Sequence, residues 1–160
     1  MLTGKEDAIR AITKALGLEK GTKVFYEFAA SKAKEGPVKE TFLALRDMEM
    51  RHMQYFDFLY LAITEERDLL GYKEFSRNVT ATHVESGRSI ADAVKLFDER
   101  EIKSGKDALK IALSIEGRSH AMYKDLAEKS EDPEVKVLFE EMMEQEKRHI
   151  EYLRDIENKV

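Results

Sequence analysis

A chain of 160 residues that is 37% charged and 42% apolar, with two prolines and no tryptophan, has the composition of long helices and length enough for one domain with a proper core. Its net charge of −5, without a basic stripe carrying interleaved aromatics, argues against nucleic acid as a partner. The lack of cysteine excludes disulfides, thiol catalysis, zinc knuckles and cysteine-ligated iron.

Met1 to Asp7 carry acids where a secretory signal needs an apolar core, and no run of about 18 apolar residues occurs, so a soluble, cytoplasmic protein with no membrane partner is expected. Thr3-Gly4-Lys5-Glu6 spells a capping box and predicts a first helix that runs to about Lys34. Ile9, Ile12, Leu16, Leu18, Val24, Phe25 and Phe28 form its apolar stripe, while Gly17 and Gly21 weaken it and allow a bend. Glu35-Gly36-Pro37 ends this helix and opens the second, from about Val38 to Arg67. From Asp68 to Lys103 the pattern loosens into a connection, within which Ser89-Ile90-Ala91-Asp92 caps a short helix that turns Ile90, Val94 and Phe97 inward. A third helix runs from Ser104-Gly105 to about Ser130, and Asp132-Pro133-Glu134 caps and opens a fourth. The chain thus divides into a hairpin (4–67), a crossover (68–103) and a second hairpin (104–160) within one domain.

The two hairpins are copies of one another. A shift of 97 residues lays the first on the second without a gap, and between Ala11 and Tyr55 about three positions in ten are identical. Glu49-Met50-Arg51-His52 falls on Glu146-Lys147-Arg148-His149, Glu19 on Glu116 and Tyr26 on Tyr123. A Glu and a His three residues apart project from one helix face. Glu19 and Glu116 sit among Ala, Leu and Ile, where an unpaired carboxylate would be costly. Counting residues from each turn places the lone Glu and the Glu-x-x-His of a hairpin at one depth, and a crossover as long as 68–103 can bring the two levels together. The predicted fold is an all-α, ferritin-like four-helix bundle of two repeated hairpins.

The assembled metal site would hold Glu19, Glu49, His52, Glu116, Glu146 and His149, a Glu from each of two helices and a Glu-x-x-His from each of the others. Four carboxylates offset two divalent cations, or two ferric ions bridged by one oxide, and mixed carboxylate and imidazole ligands suit iron or manganese. Without metal, four clustered acids would repel or take up protons.

On these motifs the chain resembles a rubrerythrin-type member of the ferritin-like superfamily. The resemblance implies two iron ions per chain, with manganese as the other metal and an oxo or hydroxo bridge in the oxidised state. It makes Glu49 and Glu146 bridging ligands, and the lone Glu and the His terminal ones. It implies an oxidoreductase that reduces hydrogen peroxide with an external electron donor protein, or a ferroxidase or iron-storage protein using oxygen or peroxide at the same site. Two departures stand out: without cysteine there is no rubredoxin domain, and Leu113 and Ser119 stand where rubrerythrins place a second glutamate one turn from Glu116.

Tyr26 and Tyr123 are the candidate catalytic residues, each placed to hydrogen-bond a ligand carboxylate or quench a radical, although an ordinary core tyrosine would fit the same pattern. His120 shares the face of Glu116 and could add a ligand or a proton, and His83 is expected in solvent. Arg51 and Arg148 could neutralise Asp47 and Glu144. Phe56, Phe58, Tyr60, Leu61 and Ile63 crowd the end of the second helix beyond one inward stripe, which predicts a homodimer.

Overall fold

Several helix ends fall where the local chemistry supplies a partner for free backbone groups. The computed structural model describes residues 5–33, 36–64, 77, 79, 81, 83, 89–98 and 105–159, and among them the helices are α1 (Lys5–Lys32), α2 (Pro37–Thr64), α3 (Ile90–Asp98), α4 (Gly105–Lys129) and α5 (Pro133–Lys159). The expected capping residues Thr3 and Ser104, and the expected end of the second helix at Arg67, lie outside the described residues. α1 runs through Gly17 and Gly21 as one helix. At the first turn Gly36 takes φ +131°, and a Cβ there would meet nothing within 4 Å, so it is the backbone angle that calls for glycine. Pro37 then occupies the first position of α2, where a missing N–H costs no helix bond.

The other caps follow the sequence. Ser89 Oγ accepts from the Asp92 N–H at 3.1 Å and starts α3, which turns Ala93 into the core and packs against α1. Ile90 and Val94 are half-buried there, while the side chain of Phe97 lies outside the description. Asp132 Oδ1 accepts from the N–H groups of Glu134 and Val135 at 2.9 and 3.2 Å, an N-cap in front of Pro133.

Two apolar clusters show how the hairpins are laid together. One joins Ile12, Leu16, Phe56, Tyr123, Phe139 and Met142; the other joins Phe25, Tyr26, Phe42, Leu109, Ile115 and Leu153. The early part of α1 therefore meets the late part of α4, and the late part of α2 meets the early part of α5, so both pairs run antiparallel. α2 ends beside the first cluster and α4 starts beside the second, so the connection between them joins opposite ends of the bundle, as its length predicts. The fold is an all-α ferritin-like bundle. Lys20 Nζ donates to the Val79 carbonyl at 3.1 Å, and Val79 packs on the first cluster, which ties this part of the crossover to α1.

Some surface expectations change. Val24 is 41% exposed, and α1 instead buries Ala8, Ala11, Ala15, Ala29 and Ala30, small side chains that let its neighbours approach closely. Phe56 is in the core, and Tyr60 and Ile63 pack against it, so these three continue the inward stripe that carries Glu49 and His52. Among the described residues no helix is long and apolar enough to cross a membrane.

Candidate metal centre

Between the two apolar clusters lies a layer of charge. Glu19, Glu49, Glu116 and Glu146 are all fully buried, His52 is 1% exposed and His149 5%. All six residues expected to form the site are thus placed in the core, and the repeat is visible in their geometry. His52 Nδ1 lies 3.3 Å from Glu19 Oε2, and the equivalent His149 Nδ1 lies 3.0 Å from Glu116 Oε2. The two imidazole rings stack with centroids 4.6 Å apart and planes 9° from parallel. Ligand atoms of Glu49, His52, Glu146 and His149 all lie within 4.8 Å of one another, which puts the two Glu-x-x-His motifs at the centre and Glu19 and Glu116 at its flanks.

The tyrosines brace the flanks crosswise. Tyr26 Oη of the first hairpin donates to Glu116 Oε1 of the second, and Tyr123 Oη of the second donates to Glu19 Oε1 of the first. Each outer carboxylate therefore takes one hydrogen bond from each hairpin, a His of its own and a Tyr of the other. This exchange follows from the antiparallel course of α1 and α4, which brings a residue two turns beyond Glu19 back level with Glu116.

The central carboxylates have no such partners. Both oxygens of Glu49 and both of Glu146, together with His52 Nε2, are buried without a hydrogen-bond partner among the described residues. His52 Nδ1 comes within 2.9 Å of Glu146 Oε1, yet without hydrogen-bond alignment. Buried carboxylate oxygens left unpaired are strongly unfavourable unless a cation or a proton meets them. Protonation follows that rule. Burial, reinforced by Glu19, holds the Glu49 carboxyl well above the usual range, and burial with Glu146 alongside pushes Glu116 up to about 8. Burial opposes charge on His149, but the Glu116 carboxylate overrides it and lifts the imidazole to about 9; Glu19 and Glu146 lift His52 in the same way. Against the pull of burial, the His52 charge holds Glu19 and Glu146 below the ordinary value. The cluster stores protons where a pair of metal ions would place positive charge, so the donor set fits a di-metal group.

The rubrerythrin family model matches residues 107–160, the α4–α5 hairpin with Glu116, Glu146 and His149. The resemblance to rubrerythrin is borne out. Neither a curated protein nor a solved structure matches the chain. The matched segment carries Glu116, Glu146 and His149, and the 97-residue repeat places Glu19, Glu49 and His52 at the equivalent positions. Together the match and the buried Glu/His cluster support a di-iron protein.

The remaining expectations divide. His120 is half-buried and His83 exposed, and neither joins the cluster. Asp47 is bonded by Arg46, through Nε at 2.9 Å and Nη2 at 2.8 Å, so Arg51 does not neutralise it within the chain. Thr22 and Ser119, each three residues after a lone Glu and equivalent under the repeat, are fully buried beside the site. Sequence reading noted only Ser119; the pairing of a threonine with a serine under the shift was the signal available for both.

Replacing Tyr123 by phenylalanine removes the only hydrogen bond that the second hairpin gives Glu19 among the described residues. Groups that orient a ligand are worth about 10- to 100-fold in metal affinity. A chelator competition titration of Tyr123→Phe is expected to show weakening in that range at unchanged stoichiometry.

Proposed function

We propose that the protein is a di-iron oxidoreductase that reduces hydrogen peroxide to water, with electrons from an external donor protein. The observation that carries this reading is the pair of central carboxylates, Glu49 and Glu146, buried with both oxygens unpartnered between hydrogen-bonded outer ones. In it Glu49, Glu146, His52 and His149, with Glu19 and Glu116 beside them, would hold the metal ions, and manganese is the alternative metal. Two iron ions, when bound, supply one electron each. Reduction of one peroxide to two waters also takes two protons, and Tyr26 Oη and Tyr123 Oη carry the hydroxyl protons that reach the outer carboxylates. The two apolar clusters above and below exclude bulk water, which strengthens each electrostatic contact in the layer.

Rapid mixing of the diferrous protein with peroxide and, separately, with oxygen tests the reaction. Faster oxidation by peroxide with the iron retained on the protein is the expected result. Release of ferric iron into a mineral would move the function to ferroxidation and storage.

A further inference from the structure

The 97-residue repeat gives both halves of the centre the same donors, so differences in what surrounds those donors stand out. His52 falls on His149, yet the two are not equally sealed. His52 is 1% exposed with Nε2 buried, whereas His149 is 5% exposed, the most accessible of the six core donors. On α5, His149 meets Glu116 of α4 while Glu146 approaches His52 of α2. Gln145 and Glu141 lie about 40° and 80° further round the helix on the His149 side, which is the side of α4. Glu141, Gln145 and His149, spaced by four residues, therefore form one polar ridge that goes from exposed through half-buried to nearly sealed.

The equivalent ridge of α2 is Ala44, Met48 and His52, and Met48 packs against the second apolar cluster. The facing helices divide in the same way. α4 and α5 run antiparallel with Glu116 beside His149, so His120 stands at the depth of Gln145; the same count in the first hairpin sets Lys23 at the depth of Met48. Lys23 is paired with Glu27 at 3.4 Å. Next to Glu19, Lys20 reaches the Val79 carbonyl, and Val79 packs on the first cluster. Next to Glu116 stands Gly117, which is exposed and whose Cβ would meet nothing within 4 Å. The approach to His52 thus carries two ammonium groups, a thioether and a tie to the crossover, where the approach to His149 carries a carboxylate, an amide and open space.

If the centre is a di-metal site, as proposed above, a divalent cation must pass from water to fully buried donors. Removing its hydration is costly unless other oxygens replace the water at each stage. We infer that metal ions enter and leave the centre between α4 and α5, along Glu141, Gln145 and His149, and not between α1 and α2. Glu141 draws the cation to the rim, and the Gln145 amide oxygen takes the place of a water before the ion reaches the ligands.

Stopped-flow uptake of Co²⁺ by the metal-free full chain, followed by release to excess chelator, tests this route in wild type, Gln145→Met, Glu141→Ala and the control Met48→Leu. Gln145→Met is expected to slow uptake and release alike, at least about fivefold for one lost oxygen contact, at unchanged stoichiometry and dissociation constant, because a passage changes both rates together and a ligand changes their ratio. Glu141→Ala should slow uptake about twofold or more at low salt and match wild type at high salt, where its charge is screened. Met48→Leu conserves volume on the covered ridge and should leave both rates as in wild type. Wild-type rates in Gln145→Met, a raised dissociation constant with faster release in that variant, wild-type uptake by Glu141→Ala at low salt, or slowing by Met48→Leu as large as by Gln145→Met would each overturn the route. A wild type that takes up no Co²⁺ would overturn the di-metal reading, and the route with it.

Discussion

Glu49→Ala and Glu146→Ala proteins, reconstituted with ferrous iron and measured by elemental analysis, are expected to retain almost none of the roughly two ions per chain that the six-residue donor set of wild type can hold. The reason is positional. Glu49 and Glu146 lie with both histidines in one compact cluster, with neither oxygen of either committed to another partner among the described residues, so each could serve both metal positions. Glu19 and Glu116 are already engaged with a tyrosine and a histidine each, and cannot replace them. Loss of metal will not reflect loss of fold. Burial and the neighbouring Glu19 push the Glu49 carboxyl well above the usual range, so removing it relieves the metal-free core, and Glu49→Ala should melt at the same temperature as metal-free wild type or above it. Two ions per chain in either variant would show that the metal lies elsewhere.

The second large effect is the stabilisation that metal confers, which should grow as pH rises from 6 to 8. For the metal-free protein the sign follows from the raised groups. Glu116 titrates at about 8 folded and near 4.5 unfolded, so between those values the folded state holds the extra proton and stability falls as pH rises. His149, raised from 6.5 to about 9, contributes stability that is full below 6.5 and lost as pH climbs through 9; the raised Glu49 and His52 act in the same sense. Glu19 and Glu146, held low, contribute stability that fades only below the ordinary carboxylate range, outside this window. Metal binding runs the other way, since ligands must shed their protons and affinity rises with pH. At metal concentrations about 1,000-fold above the dissociation constant the gain is about 4 kcal/mol, or roughly 8 to 16 °C for a chain of this size. Melting curves with and without ferrous iron, taken anaerobically at pH 6, 7 and 8, should diverge. Curves that converge toward pH 8 would mean that the protons held by the cluster are not the ones metal displaces.

Much of this site could be read before any coordinates. A Glu-x-x-His fixes two side chains on one helix face through the helical repeat alone, and its recurrence at a constant shift with Glu19, Glu116 and both tyrosines reduced four helices to one repeated unit. Turn chemistry was equally local, and Gly36-Pro37 and Asp132-Pro133 act as spelled. Inward and outward faces were less legible. Val24 fits the apolar spacing of α1 yet is exposed, because the close-packed seams of that helix are set by alanines, which spacing rules weigh lightly.

The sequence by itself determined the helical class, the two hairpins, the six core donors and their shared depth, since all of these follow from periodicity and counting along single helices. Only the tertiary structure decided which donors face each other across the bundle. That each tyrosine serves the glutamate of the other hairpin, and that Glu49 and Glu146 are left with bare oxygens while Glu19 and Glu116 are not, both depend on distances between helices, which no spacing within one helix records.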